Sequence, residues 1–461
     1  MNVKFMGGGV WMKNKDKNLL IQLFIIAIPI AIQNLINVGV SVTDTLMIGN
    51  IDELQLAGIS QANQPYFIFT TLIFGLASGS MVLNSQYWGK RDIESIKTIM
   101  GLMMRIAIVG GLIASLVVLI FPKEVVSVFT NEKVVIEYGA MYLRIVGFSY
   151  VFSAFTGVYL MGLRSIQNVN VSMCIYGFSF ILNVFLNYIL IFGHLGMPRL
   201  EIIGAALATL ISRVFESILV VIYMYGIEKQ IKYKLSDVFR RTSMYWKHIV
   251  RYSLPVLLSE INWGLGISVQ AAIIGRLGAS VIAANSFISV FQQLAGIAIM
   301  GFGGGAAIIV GNLIGEGKER EEQVLNFSKL LVKLSFFLGI IIAIGIIAIR
   351  PIAPSFIKVS KETAELIKNM LYVSAFLLLF QSVTVTTLAG VLRGAGDTVF
   401  CAINDIVTLW GLKIVLGTIC AFALKFNPVL VYLILSSDEF FKALVTIPRV
   451  WKGKWIHYTT V

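Results

Sequence analysis

Long hydrophobic runs, separated by short polar segments, repeat along the whole chain. Each run carries few charged residues or none, as residues 99–121 and 331–349 illustrate. Because about 20 consecutive apolar residues cross the hydrocarbon core of a bilayer, we interpret these runs as membrane spans. The pattern predicts an all-α integral membrane protein with twelve transmembrane helices, at residues 19–45, 54–83, 95–121, 136–160, 168–193, 201–226, 250–274, 280–309, 325–349, 365–390, 398–424 and 427–446.

The two halves of the chain repeat one design. Pro29 matches Pro255 at an offset of 226 residues. The pairs that follow without a gap are Gly49 and Gly275, Ala57 and Ala283, Gly75 and Gly301, Gly79 and Gly305, and Gly89 and Gly315. At an offset of 229, Leu163-Arg164 matches Leu392-Arg393. The offset preserves chain direction, so we predict two six-helix bundles related by a pseudo-two-fold axis along the membrane normal, with a cleft between them.

The lysine and arginine residues gather in the gaps between the hydrophobic runs. The chain is 57% hydrophobic, 13% charged and carries a formal net charge of +13. Nucleic-acid binding would require a basic patch on a soluble face, which this distribution does not provide. With a cytoplasmic N-terminus, each basic cluster falls on the cytoplasmic side, as the positive-inside bias requires. We predict cytoplasmic tails at 1–18 and 447–461, an N-lobe at 19–226, a cytoplasmic linker at 227–249 and a C-lobe at 250–446.

The sequence lacks the motifs of enzymatic chemistry. A phosphate-binding loop is missing, because Asn312 stands where its first glycine would be needed, so ATP is not expected to drive this protein. The three histidines and three cysteines are widely spaced and form no metal-binding or nucleophile motif. The first apolar run is too long for a signal peptide and is interpreted as the first helix. We expect a protein that is not an enzyme and needs no cofactor beyond a coupling ion.

One face of the first predicted helix is polar. Asn34, Asn37, Ser41 and Asp44 follow at helical spacing, so they form a stripe that must face protein or water. A carboxylate within a span costs several kcal/mol, and such residues mark functional sites. We favour an ion-binding or proton-carrying Asp44 over one that only caps the helix.

The fifth predicted helix carries a matching set of polar residues. Asn183 and Asn187 lie one turn apart, and Tyr176 precedes Asn183 by about two turns. These side chains either complete a pocket with Asp44 or join helices through hydrogen bonds worth about 1 kcal/mol. The sequence leaves both interpretations open.

The second half places its charges differently. Glu260 occupies the position paired with Asn34, where either function or snorkelling to the helix end explains it. Asp405 and Lys413 lie in the eleventh predicted helix. Because a buried lysine needs a partner, these three residues are expected to form either a functional charge network or a static ion pair. Uncharged polar residues that are candidates to line the pocket are Gln270, Gln292 and Gln381.

Several short motifs resemble the multidrug and toxic compound extrusion (MATE) transporters. The first-helix stretch Thr43-Asp44-Thr45-Leu46-Met47-Ile48-Gly49 is similar to the family's signature. Further similar stretches are Leu56-Ala57-Gly58, Asn183 to Gly193, Pro255 to Gly264, and Arg393-Gly394-Ala395-Gly396-Asp397-Thr398. Together they cover nearly the whole chain in the family's order.

This resemblance implies a V-shaped cleft between the lobes and export of organic cations in exchange for H⁺ or Na⁺. Asp44 matches the family's coupling carboxylate, which would hold the metal if Na⁺ is the ion, and Asn183 matches its fifth-helix asparagine. Asn187 stands where many members carry Asp, which removes a two-carboxylate site. Glu260 lies one turn earlier than the acid of some subfamilies, and Asp405 resembles an acid of bacterial relatives.

Two other functions compete with an exporter. A lipid-linked oligosaccharide flippase of the same superfamily would need a strongly cationic cleft with several arginines inside its spans. A receptor that does not transport would more often carry a sizeable domain outside the membrane. We expect small organic cations and the lipid bilayer as partners, a monomer, and a bacterial cytoplasmic (inner) membrane location.

Overall fold

The computed structural model describes residues 14–49, 52–357 and 359–460, and over these ranges it contains helices and loops but no strands. The first half forms eight α-helices. Their bounds are α1 Asn14–Gly49, α2 Glu53–Gly89, α3 Ile93–Ile120, α4 Pro122–Ser127, α5 Lys133–Val146, α6 Ser149–Ser165, α7 Val169–Phe192 and α8 Glu201–Gly226. Most of the predicted tail of residues 1–18 lies outside the described residues.

The second half forms eight further helices, several of them joined by π-helical segments. Their bounds are α9 Trp246–Gly275, α10 Ala279–Gly315, α11 Glu321–Ile349, α12 Lys361–Thr384, α13 Thr398–Ile406, α14 Val415–Thr418, α15 Pro428–Ile434 and α16 Asp438–Lys452. The π segments Val385–Leu392, Val407–Ile414 and Ile419–Ala423 extend α12 and connect α13 and α14 into one span.

The predicted membrane spans are found with two local differences. Ten helical stretches among the described residues are long and apolar enough to cross a bilayer. The predicted span at 136–160 is instead the pair α5 and α6, bent by 57° at a break of two residues. The predicted twelfth span is divided into α15 and α16, because charged residues begin α16. The protein is an all-helical, multi-pass membrane protein, as predicted.

The two lobes meet through glycines that the internal repeat relates. Gly79 of α2 packs on Ser253 of α9, and its repeat partner Gly305 of α10 packs on Ala27 of α1. Ser253 and Ala27 are also 226 residues apart, so one contact is a copy of the other. Two more copied contacts are Gly75 on Leu257 with Gly301 on Ala31, and Gly89 on Asn312 with Gly315 on Gln86. The matched contacts show the pseudo-two-fold relation of the lobes directly.

These glycines close one end of the lobe interface. They lie in the second halves of α2 and α10, which end at the basic loops around Lys90 and Lys318. The linker packs at the same end, where Arg105 of α3 donates to the carbonyl of Arg240 at 3.1 Å and to the hydroxyl of Thr242 at 2.9 Å. We call this the basic end of the molecule. Because small residues let helix backbones approach closely, the two lobes are in direct contact here.

Candidate transport sites

Asp44 lies in a polar pocket between α1 and α7. The Nδ2 atom of Asn187 donates a 2.6 Å hydrogen bond to Oδ1 of Asp44 and a 3.1 Å hydrogen bond to Oδ1 of Asn183. Both asparagines are buried, whereas Asp44 is half-buried. One turn of α7 therefore places Asn187 against the α1 carboxylate and Asn183 behind Asn187, so the three side chains lie together, as both interpretations from the sequence require.

The amide oxygen of Asn187 has no hydrogen-bond partner within the described part of the chain. It is buried, and a buried acceptor without a partner costs free energy unless a donor or cation reaches it. It belongs to the same side chain that holds Asp44. The pocket therefore offers a carboxylate and two amide oxygens, one of them without a partner among the described residues, which suits a proton or a small cation.

The rest of the α1 stripe borders an open cavity of about 420 Å³ between α1 and α10. Asn37 and Ser41 line it from α1, and Gln293 of α10 lines it from the other lobe. Asn34 is half-buried further along the helix. This cavity lies nearer the end of α1 opposite the basic end, so the lobes leave space on the side where Asp44 is found.

Two half-buried arginines of the N-lobe were not expected inside a pocket. Arg213 of α8 forms a 2.8 Å ion pair with Glu216, whose side chain is 1% exposed. Arg213 also interacts electrostatically with Tyr176 and with Asp44. Arg164 of α6 donates to the side-chain oxygen of Gln33 in α1. In sequence, the Arg213-Glu216 spacing of three residues was the available signal, because it places both on one helix face.

Glu260 of α9 is paired with Arg393, not with Asp405 or Lys413. The Nη1 atom of Arg393 lies 2.8 Å from Oε1 of Glu260, and the two side chains are 10% and 15% exposed. A Cβ atom placed on Gly75 of the N-lobe would lie 3.3 Å from Cγ of Glu260, so this ion pair borders the lobe interface. The carboxylate of Glu260 is therefore satisfied by its ion pair with Arg393, and not by snorkelling to the end of the helix.

Asp405 and Lys413 both contact α16, whose first part falls in the predicted twelfth span. Lys413 lies 3.3 Å from Asp438, and Asp405 lies 3.4 Å from Lys442. Lys442 also lies 3.2 Å from Asp438 and 3.7 Å from Glu439. The expected network in this lobe therefore contains three acids and two lysines, without Glu260. We call these five residues the C-lobe charge cluster.

The remaining predicted pocket residues are dispersed. Gln292 of α10 donates to the hydroxyl of Tyr432 at 2.9 Å, and the backbone oxygen of Gln381 accepts from Thr384 at 3.2 Å. The hydroxyl of Thr384 donates to Glu439, which joins α12 to the C-lobe charge cluster. Gln270 is half-buried in α9. These glutamines do not converge on the Asp44 pocket.

The motif that follows Arg393 ends in an anchored carboxylate outside the spans. Arg449 donates from Nε to Asp397 at 2.6 Å, and His457 lies 3.6 Å from the same carboxylate. Burial alone would raise the pKa of Asp397, but the hydrogen bonds and charges of His457 and Arg449 hold that pKa below its usual value. This carboxylate fixes α16 and the segment after it to the start of α13.

Both lobes of the chain match one known protein family. The sequence profile of the MatE family matches residues 29–189 and 255–419, which are corresponding parts of the two lobes and most of the chain. The chain belongs to the MatE family. In this MatE protein, the Asp44 pocket falls in the first matched segment, and Glu260, Arg393, Asp405 and Lys413 fall in the second.

Relatives of this MatE protein span nearly its whole length. It is 22% identical over 442 residues to "Probable multidrug resistance protein NorM" of Thermotoga maritima, covering 94% of this chain and 92% of the relative. It is 24% identical over 432 residues to a protein of the same name from Agrobacterium fabrum, with 91% and 90% covered. A solved structure described as the outward-facing conformation of a multidrug resistance MATE family transporter superposes with a TM-score of 0.84, at 18% identity, over 96% of this chain and 99% of that one.

Proposed function

We propose that this MatE protein exports small organic cations across a bacterial cytoplasmic membrane, by alternating access and in exchange for H⁺ or Na⁺. Family membership and the multidrug resistance names of the NorM relatives support efflux. The basic end, with the linker and the described part of the C-terminal tail, then faces the cytoplasm, in accord with the positive-inside bias. Two complete lobes within one chain make a monomer sufficient.

The observation that carries the coupling proposal is the contact of Asp44 with Asn187. Asp44 accepts a hydrogen bond from the neutral amide of Asn187, and the amide oxygen of Asn187 is unsatisfied among the described residues. A proton or Na⁺ arriving at Asp44 changes the acceptor that Nδ2 of Asn187 binds. Since Asn187 lies on α7 and Asp44 on α1, this exchange alters how the two helices pack.

The lobe contacts support an outward-open state. The repeated glycines hold the lobes together at the basic end, and the cavity beside Asn37 and Gln293 lies towards the other end. Ligand sites of transporters with parallel repeats lie near the midplane at the repeat interface. In this reading, cation arrival at Asp44 from outside displaces the cargo, and the protein then reopens at the basic end.

The C-lobe charge cluster supports a cationic cargo. It contains Asp405, Asp438 and Glu439 against two lysines, so with every group ionised it carries one excess negative charge. A net negative charge within a low-dielectric lobe is stabilised by an approaching cation. Two of the arginines that an anionic, pyrophosphate-bearing cargo would need are neutralised, since Arg213 binds Glu216 and Arg393 binds Glu260, and Arg164 donates to Gln33. This disfavours the flippase alternative.

A receptor without transport activity has less support from the fold. The described segment between the lobes, which joins α8 to α9, contains only the short 3₁₀ helix Leu235–Phe239. This linker packs against α3 and is not a separate domain.

Efflux of a fluorescent organic cation from proteoliposomes, driven by a pH gradient with or without Na⁺, tests the proposal. We expect Asp44→Asn to abolish the gradient dependence, because the neutral amide neither binds nor releases a proton. Asp52→Asn is a matched control, since Asp52 only caps α2 by accepting from the backbone of Leu54 at 2.6 Å. Full coupled efflux in Asp44→Asn would refute the coupling role, and no transport by the parent under any gradient would refute the exporter.

A further inference from the structure

The segment of residues 453–460, which we call the strap, is anchored in the C-lobe. It begins at Gly453, whose φ of 73° turns the chain after α16. Trp455 is fully buried and donates from Nε1 to the carbonyl of Val450 at 2.9 Å. The backbone N–H of His457 donates to the carbonyl of Ala395 at 3.2 Å. These contacts make the strap a fixed part of the C-lobe.

The end of the strap reaches across the lobe interface to one residue of the N-lobe. Gln86 of α2 donates from Nε2 to the carbonyl of His457 at 3.0 Å. Its Oε1 accepts from the backbone N–H of Thr459 at 2.8 Å and from the hydroxyl of Thr459 at 3.0 Å. Gln86 is 0% exposed and Thr459 is 2% exposed. Three hydrogen bonds therefore join the lobes at a site that excludes water.

The fit around Thr459 is close on its C-lobe side as well. Gly396 has a φ of 89°, and a Cβ atom at this position would lie 2.7 Å from Cγ2 of Thr459. Only glycine combines this backbone conformation with the space that Thr459 occupies. The strap therefore has a seat in the C-lobe that is specific to its own end.

The internal repeat does not account for this contact. The repeat partner of Gln86 is Asn312 of α10, since the two are 226 residues apart and contact Gly315 and Gly89 in the same way. Yet the buried side-chain amide of Asn312 has no hydrogen-bond partner among the described residues. The strap thus adds bonds on one side of an interface that is otherwise a two-fold copy.

We propose that the strap is a latch that stabilises the state closed at the basic end, and that its contact with Gln86 must break each time this end opens. The inference rests on alternating access, because a latch has a function only if the lobes separate. The strap is held by Trp455 and Ala395 and stays with the C-lobe, whereas α2 moves with the N-lobe. All three bonds to Gln86 are therefore lost together on opening, at no cost to the fold of either lobe.

Distances between spin labels at Arg91→Cys and Glu319→Cys, with exposed Cys174 replaced by Ser, measure opening of the basic end. Arg91 lies in the N-lobe loop after α2, Glu319 lies in the C-lobe loop after α10, and both are exposed. We expect Gln86→Leu and Thr459→Val to raise the ratio of open to closed molecules, by about tenfold or more for Gln86→Leu, since it removes all three bonds. In the double variant, Thr459→Val should add little.

Tyr458→Phe is the matched control within the strap. Its hydroxyl donates to Glu321 at 3.2 Å, a contact inside the C-lobe, so its loss should leave the ratio unchanged. If Gln86→Leu does not fold, Thr459→Val carries the test, because it is nearly isosteric. If the label distance in the parent changes with pH or Na⁺, and the variants show the same distances as the parent, the latch alone is overturned. A single distance in parent and variants under every condition would overturn both the latch and alternating access.

Discussion

Asn187 donates a 2.6 Å hydrogen bond from Nδ2 to the carboxylate of Asp44, so the group of α7 that contacts this acid is a neutral amide. The pocket therefore holds one negative charge where two would suit Na⁺ or a shared proton. We predict that Asn187→Asp makes cation-driven efflux respond to Na⁺, because a second carboxylate adds charge and an oxygen ligand.

The measurement is efflux at fixed pH across a series of Na⁺ concentrations, compared with Asn183→Asp. Asn183 contacts Asn187 but makes no hydrogen bond to Asp44, so its acid variant should respond less. An equal response of both variants would show that only net charge in the pocket matters.

The ion pair of Glu260 and Arg393 is partly buried, so its two members should be coupled. We predict that Glu260→Gln lowers the free energy of unfolding by roughly 3–5 kcal/mol, because Arg393 is left as an uncompensated charge. The double variant Glu260→Gln/Arg393→Gln should recover part of this loss. Thermal unfolding of the purified variants in one detergent checks it, and additive losses would contradict coupling.

The sequence indicated a shared α1 and α7 pocket as one of two interpretations, because each set of polar residues follows from helical spacing alone. Asp44 and Asn187 each lie on a face that carries other polar residues, and the first and fifth helices of a six-helix repeat are plausible neighbours. The partner of Glu260 was not predictable in this way. Arg393 stands at the end of a different span, where chain turns set its position, and no periodicity links it to α9.

Asp438 contacts both Lys413 and Lys442 and is buried. We predict that Asp438→Asn destabilises the protein by several kcal/mol, because two lysines lose their shared partner. Glu316→Gln is a control, since it removes an exposed pair with Arg320 worth less than about 1 kcal/mol. Equal shifts in the unfolding temperature for Asp438→Asn and Glu316→Gln would show that the buried cluster contributes no more than an exposed ion pair.

The C-lobe charge cluster could not be predicted from the pattern of hydrophobic residues. Averaged over 427–446, the apolar residues outweigh the charges, so the segment was predicted to be a span. The chain instead ends α15 at Ile434 and begins α16 at Asp438, which turns the charged residues towards Asp405 and Lys413. A lysine deep in a span signals that partners exist, but it does not say which helix supplies them.

Asp397 should make the anchoring of the strap sensitive to acid. Its pKa is held below the usual value, so its contribution to stability is present above the ordinary aspartate pKa of about 4 and is lost as the pH falls through the lowered pKa. We predict that Asp397→Asn lowers the unfolding temperature at pH 7, and that the difference from the parent shrinks only below about pH 4. A difference that already vanishes at pH 6 would place the effect in another group.

The same Gly→Ala substitution should have opposite effects at a glycine of the lobe interface and at a glycine with open space around it. A Cβ atom on Gly79 would overlap Cβ of Ser253 at 2.6 Å, whereas Gly110 of α3 has nothing within 4 Å of that position. Gly79→Ala should therefore disfavour the closed basic end by roughly 1–3 kcal/mol through overpacking. Gly110→Ala should stabilise its helix by about 0.5–1 kcal/mol, since alanine loses less backbone entropy.

Distances between spin labels across the basic end distinguish opening of the lobes in Gly79→Ala from general unfolding. Gly79→Ala should increase the open population while each lobe stays folded, because the overlap exists only when the lobes touch. Its repeat partner gives a weaker test, since a Cβ atom on Gly305 would lie 3.1 Å from the flexible end of Leu23. If Gly79→Ala leaves the open population at the parent level, the glycine contacts are not what holds this end closed, and the bonds of Gln86 to the strap would have to supply most of the closing free energy.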